Sequence, residues 1–301
     1  MVTGEAAQPM DEGQNESFYF NFYDRGNDLF MFVRIGLMPN MNERSAFCFI
    51  MMPDGATVWM REMRPFGVGR AGVGGLRMET VDADRRWKLA FDGHMDNMAE
   101  EGLQTIPVSF SLNFEALNEM FDYEACADAD NAEIFRQVAQ DHVEQFGKAS
   151  GSLMVGEQQY DISGLGERAH TQGIRDPDRS KLWIWLSAQF SRSLAFNLTK
   201  LFTDKEAIAG YLHMNGRNVA LVKADVRTVL DPDGTPGSLA ISSTDADGGR
   251  HRMTAEVLRV VTVPFPSRDG KRLTVVHEAL VEFDLNGQKG YGMAEYLVRK
   301  G

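Results

Sequence analysis

Apolar and polar positions alternate with a period of two along most of this chain, the pattern of half-buried strands. Residues 16–37 (ESFYFNFYDRGNDLFMFVRIGL) read as a hairpin around residues 24–28, where Gly26 and Asn27 are expected to take the positive φ of the turn. Pro39-Asn40 ends it. Residues 45–52 and 57–63 form a second hairpin across Pro53-Asp54-Gly55. Strands 76–80, 86–91 and 108–116 follow at short intervals, then 142–145 and a hairpin over 152–162. From Lys181 onward the alternation returns at 181–190, 193–201, 211–214, 218–230, 237–242, 251–263, 272–285 and 291–298. Residues 204–209 read as a short helical turn. The one longer helix spans 131–140, where Ile134, Phe135, Val138 and Ala139 fall at helical spacing behind the capping candidates Asp128 and Asp130. It is expected to cover an edge or end of the first sheet.

So many antiparallel strands joined by Gly, Asp and Pro turns bury their edges best by closing on themselves. The expected fold is all-β and mainly antiparallel: two tandem barrel-like domains with one or two short helices. The division is a flexible tail over 1–15, an N-terminal barrel over 16–163 and a C-terminal barrel over 164–301. The run 67–75 (GVGRAGVGG) contains GxGxxG at Gly67, Gly69 and Gly72, but no strand–loop–helix surrounds it. A dinucleotide loop needs that frame to aim a helix N-terminus at pyrophosphate, so this run reads as a mobile loop.

Composition narrows the partners. The 301 residues are 43% hydrophobic, enough for two domains of ordinary size. A formal charge of −12 argues against wrapping a phosphate backbone, so no nucleic-acid partner is expected. Cys48 lies in an apolar run and reads as a buried hydrophobe; with Cys126 it makes no disulfide framework or CxxC site. The N-terminal residues lack a signal-peptide pattern, and no apolar stretch approaches transmembrane length. The expectation is a cytoplasmic protein without integral membrane association, with a homodimer left open. The 17 Met and 19 Phe are either ordinary core or an adaptable lining for an apolar ligand.

The candidate chemistry gathers at residues 164–176 (GLGERAHTQGIRD), read as a short polar junction between the two halves. A histidine side chain can give or take a proton near neutral pH, so His170 is the candidate proton-transfer group, with Arg175 to hold an oxyanion or carboxylate and Asp176 to orient the imidazole. The same residues equally suit a hydrogen-bonded junction that locks the halves together. His142 and Glu144 share one face of a strand, about 7 Å apart along it, and suit paired acid/base work or a satisfied interface. Trp183 and Trp185 share a face and, with Tyr19 and Tyr23, line either an apolar pocket or plain core. The six histidines are scattered without HxH, HxxxH or HExxH spacing, so no metal is expected.

Four stretches resemble the bacterial family of paired lipocalin-like (calycin) domains that includes the hydroxyneurosporene synthase type of carotenoid hydratase and the AttH-like proteins. They are 16–22 (ESFYFNF) with Val33-Arg34-Ile35-Gly36 and Pro39-Asn40; His142-x-Glu144-Gln145-x-Gly147 leading to Gly151; the junction; and 290–296 (GYGMAEY). The resemblance covers nearly the whole chain and implies two calycin barrels. At the junction the family commonly reads G-x-x-D-H-S-W-G-x-R. His170, Gly173 and Arg175 match it, whereas Ala169 replaces the aspartate and Thr171-Gln172 the Ser-Trp pair. The implied activity is a cofactor-independent hydratase, dehydratase or isomerase working by acid/base chemistry on a double bond of a hydrophobic terpenoid or aromatic molecule. The alternative is a non-catalytic carrier for a lipophilic ligand, which the loss of the aspartate and tryptophan favours.

Overall fold

The computed structural model describes residues 14–67, 72–99, 102–126, 131, 134, 141–174, 180–267 and 270–300. Two antiparallel sheets account for nearly all of them. The first holds β1 (Gln14–Asp24), β2 (Leu29–Met38), β3 (Glu43–Met51), β4 (Thr57–Pro65), β5 (Gly72–Val73), β6 (Leu76–Asp82), β7 (Arg86–Ala99), β8 (Gly102–Ala116), β9 (Phe121–Asp122), β10 (Asp141–Val155) and β11 (Gln158–Ile174). Its order is β4-β3-β2-β1-β11-β10-β8-β7-β6-β5, and a further β4–β7 pairing joins its two arms. The second sheet is a closed barrel in simple chain order: β12 (Leu182–Ser191), β13 (Leu194–Phe202), β14 (Glu206–Met214), β15 (Arg217–Leu230), β16 (Pro236–Asp245), β17 (Arg250–Pro266), β18 (Leu273–Leu285) and β19 (Gln288–Lys300). This is the expected pair of calycin-like barrels.

Period-two alternation explains each wall. In β7, Trp87, Leu89 and Phe91 point inward while Arg86 and Lys88 face solvent. One core fills the first sheet, with Phe20, Phe22, Val33, Ile50, Leu89 and Phe114 among its members. A second fills the closed barrel around Leu186, Phe196, Leu198, Val281 and Phe283. A third lies between the two sheets, where Tyr19, Phe30, Phe32, Phe49 and Met51 meet Trp183, Trp185, Leu201, Tyr211, Leu280 and Met293. Arg259 of β17 fastens the same seam, donating to the carbonyls of Met52 and Asp28 and to the Asp28 carboxylate at 2.6 Å. Cys48 is fully buried in the first core, and burial pushes its thiol pKa up.

Several expectations change. Residues 164–174 are not a junction loop but the second half of β11, paired to β1 on one side and β10 on the other. The chain leaves the first sheet at Ile174 and enters the second at Leu182, so the division at 163/164 falls inside a strand. The glycines of this segment serve close backbone approach. A Cβ on Gly166 would stand 1.8 Å from the Asn21 carbonyl oxygen, and one on Gly164 2.7 Å from that of Tyr23. Gly166→Ala should therefore destabilise the protein by about 1–3 kcal/mol or more, measured as a lower midpoint in urea unfolding at unchanged slope.

Residues 206–209 form the start of β14 rather than a helical turn, because Ala207 and Ala209 alternate into the seam. Gly72-Val73, from the run read as a loop, pair with β6, and Gly69 lies outside the described residues. In the first hairpin it is Asp28, at φ 51°, that takes the positive φ. The Asp24 carboxylate accepts from the amides of Gly26 and Asn27 and so shapes the turn ahead of it. Of the expected helix only Asn131 and Ile134 are described, both helical. Ile134 packs in the third core, which both sheets line, and Asn131 Oδ1 accepts from the Ile208 amide of the second barrel. A one-turn helix, α1 (Tyr123–Cys126), has no counterpart in the sequence reading.

Candidate active site at the seam between the barrels

Strand pairing decides which side chains meet at the seam. In register, His142 lies opposite Thr171, Glu144 opposite Ala169, and Phe146 opposite Glu167. These residues share one face of β10 and β11, the face turned toward the second barrel. Across from it, Trp185 is in register with Thr199, Ser187 with Asn197, and Asn197 with Tyr211. The two faces enclose a polar group inside an otherwise apolar core. Glu144, Glu167, Asn197, Thr199 and Tyr211 are all fully buried.

Glu144 is the hub. Its Oε1 lies 2.6 Å from His142 Nε2, while its Oε2 accepts from the Trp185 indole at 3.1 Å and from the Asn197 amide. The same Asn197 nitrogen donates to Glu167 Oε1 at 3.0 Å, and Tyr211 donates to that oxygen at 2.9 Å. Tyr123 of α1 donates to Asn197 Oδ1 and meets the Thr199 hydroxyl, both at 2.9 Å. Among the described residues, His142 is the only basic side chain in contact with Glu144, and none contacts Glu167.

Two buried carboxyls joined through one amide cannot both ionise cheaply. Burial pushes the Glu144 pKa up to about 7 against the lowering pull of its hydrogen-bond donors. Burial and then the Glu144 charge push Glu167 well above the carboxylate range. Both carboxyls are thus pushed toward the protonated form, Glu144 by burial and Glu167 by burial and the Glu144 charge.

A second acid pair, Glu278 buried and Glu295 half-buried, lies along the same face. Glu278 and Glu295 are cross-strand neighbours in β18 and β19, and burial followed by the Glu295 charge pushes Glu278 up. Tyr19 connects the two pairs: its ring meets Trp185 edge-on at 5.3 Å, and burial together with the charges of Glu278, Glu295 and Glu144 raises its phenol pKa. Among the described residues, buried polar atoms on these facing surfaces without a hydrogen-bond partner include Glu167 Oε2, Glu278 Oε2 and the Trp183 indole N–H. Buried groups of this kind are normally satisfied, so their gathering beside two acid pairs suits a bound polar molecule. Among the described residues no group of three or more His, Cys, Asp or Glu has metal-binding geometry, and no helix is long and apolar enough to cross a membrane.

The residues singled out from sequence divide. His142, Glu144, Trp183, Trp185 and Tyr19 come together at the seam, with the His142–Glu144 contact far shorter than the strand spacing suggested. His170 does not join them. It has the opposite parity on β11, stacks on Phe18 at 4.4 Å and meets Glu16 at 3.2 Å, half-buried on the other face. Tyr23 packs at the edge of the same core, bonded to Asp28 at 2.7 Å beside Tyr291. Arg175 and Asp176 lie outside the described residues. The sequence reading missed Glu167, Asn197, Tyr211, Tyr123 and Glu278. Glu278 carried a usable signal, a lone acid inside the apolar run VVHEALV; Glu167 lay within the segment singled out but was read as loop.

A family model described as a domain of unknown function (DUF7064) matches residues 2–300. No curated protein matches the sequence. Solved structures share the fold at low identity. A Nitrosomonas europaea protein assigned as an AttH is 15% identical, with 98% of both chains covered and a TM-score of 0.63. CghA solved with Sch210972 is 11% identical, with 95% of this chain and 89% of that one covered and a TM-score of 0.61. Kievitone hydratase from Nectria haematococca is 13% identical, with 94% and 88% covered and a TM-score of 0.59.

Proposed function

The chain belongs to the DUF7064 family, and on that premise we propose that it is an acid/base enzyme acting on a hydrophobic small molecule at the seam between its barrels. The reaction is addition or loss of water at a carbon–carbon double bond, or a proton shift along one. The observation that carries this reading is the buried Glu144–Glu167 pair, with one carboxyl held as an acid and its neighbour able to act as a base. In the hydration direction Glu167 gives its proton to one alkene carbon. Water adds its oxygen to the other carbon and loses a proton to Glu144, and the pair is reset when Glu144 gives up that proton and Glu167 regains one. Dehydration is the reverse, and isomerisation replaces the water with loss of a substrate proton. The faces of Trp185, Trp183 and Tyr19 suit a developing positive charge on carbon, and the unpartnered polar atoms suit a substrate oxygen.

Sharing a fold with a protein named as a hydratase supports the reaction class and leaves the substrate open. This reading moves the proton transfer from His170 to the glutamates, with His142 holding Glu144. Such a group contributes about 10²–10⁴-fold.

Native mass spectrometry on freshly purified protein tests it. Wild type should release a co-purified apolar ligand that gains or loses water, or isomerises, on incubation, while Glu144→Gln retains it unchanged. Recovery of the same unaltered ligand from both proteins would leave a carrier and remove the enzyme.

A further inference from the structure

Glu144 is fully buried, yet a base that collects a proton in each turnover has to exchange it with solvent. Among the described residues, a hydrogen-bonded path of side chains leads from it toward a more exposed group. Glu144 Oε1 meets His142 Nε2 at 2.6 Å, and His142 Nδ1 meets the Thr171 hydroxyl at 2.9 Å. The three belong to adjacent strands whose register puts Thr171 beside His142, and exposure rises along the series: none at Glu144, 9% at His142 and partial at Thr171. Tyr123 packs on the imidazole at 4.4 Å and Trp183 lies 6.4 Å from it, so the ring is held with one nitrogen toward each neighbour.

From this geometry we infer that Thr171 and His142 form a proton relay that reloads and discharges Glu144. The inference rests on Glu144 being the proton-exchanging group of the proposed function. Thr171 and His142 are positioning and relay residues and do not touch the substrate. In the inward direction the Thr171 O–H bond breaks as its proton bonds to His142 Nδ1, and solvent returns a proton to the Thr171 oxygen. The Nε2–H bond breaks as that proton bonds to Glu144 Oε1. One proton enters from solvent and one reaches Glu144; the imidazole changes tautomer and ends neutral. Discharge runs the same steps backwards, which restores the starting tautomer, so each cycle of loading and unloading closes. A hydroxyl is required at residue 171 because it must both give and accept a proton. Valine has the shape and neither capacity.

The test needs no substrate. Protein in mildly acidic H₂O buffer is mixed rapidly with D₂O, and the shift of the buried carboxylic acid band is followed by time-resolved infrared spectroscopy. The band is assigned by its change in Glu144→Gln and in Glu167→Gln. Thr171→Val should slow the exchange by roughly tenfold or more, and Thr171→Ser should restore it to within roughly twofold of wild type. A packing role for the Thr171 methyl would be met by valine and would not be rescued by serine in this readout. Exchange at the wild-type rate in Thr171→Val, or equally slow exchange in Thr171→Ser, overturns the relay. If the relay holds while no ligand is ever converted, the enzyme reading falls and the proton path stands, so the two failures are separable.

Discussion

A protein carrying both Glu144→Gln and Glu167→Gln should unfold at a higher temperature than wild type at pH 8 while losing turnover. The stability gain follows from what ionised Glu144 costs. A pKa difference of one is worth about 1.4 kcal/mol, so moving a carboxyl from 4.5 to about 7 on folding penalises the native state by roughly 3–4 kcal/mol above that pH. Glutamine removes the charge and keeps the shape. The hydrogen bonds can be remade as well. At position 144 the new side chain presents its carbonyl to Trp185 and Asn197 and its amide to His142, which takes the tautomer with its proton on Nδ1, facing Thr171. At position 167 a carbonyl remains for Asn197 and Tyr211. Replacing buried charges with neutral groups of similar volume is often neutral or stabilising by about 1–4 kcal/mol. Calorimetry at pH 8 checks the first half and ligand conversion the second. A double variant that melts well below wild type would mean the carboxylates are structural ties.

The wild-type protein should also be most stable on the acid side, with stability falling as pH rises from about 5 to 8. The sign follows from which state binds more protons. Glu144, Glu167 and Glu278 all have raised pKa values in the folded state. Their stabilising contribution is fully present below the unfolded value near 4.5 and is lost as pH rises through the folded values, because over that range the unfolded chain has released protons that the native protein still holds. A charge of −12 adds self-repulsion in the same direction. The double glutamine variant separates the two causes: its profile should be flatter by the share belonging to the seam, while the repulsive share persists. Chemical denaturation across pH 5–8 reads both, and a wild-type profile that rises toward pH 8 would contradict the raised pKa values.

Both barrels were legible in the sequence because antiparallel strands with one wet face advertise themselves at period two. Runs such as Arg86–Phe91 show which residues face the core before any pairing is known. What could not be read was which strands back onto one another. Residues 164–174 carry Gly164, Gly166 and Gly173, and glycine in a sequence signals a turn more readily than a place where a neighbouring backbone comes too near for a Cβ. Read as loop, the segment offered His170, its most titratable residue. Read as strand, its parity puts Glu167, Ala169 and Thr171 on one face with His142 and Glu144, and His170 on the other. Asn197 and Tyr211 were hidden for another reason. A polar residue on the outer face of a barrel strand is ordinary until a second barrel covers it.

The core between the sheets settles how this chain can be divided. Its aromatic and aliphatic members come from both barrels in comparable measure, and with them come the two halves of the acid site: Glu144 and Glu167 from one side, Asn197, Tyr211 and Trp185 from the other. Cutting the chain between Ile174 and Leu182 would leave each fragment with an intact interior and a greasy, acid-studded outer wall facing water. Neither piece would be a smaller version of the protein. The unit that can be borrowed, shuffled or transplanted is the pair.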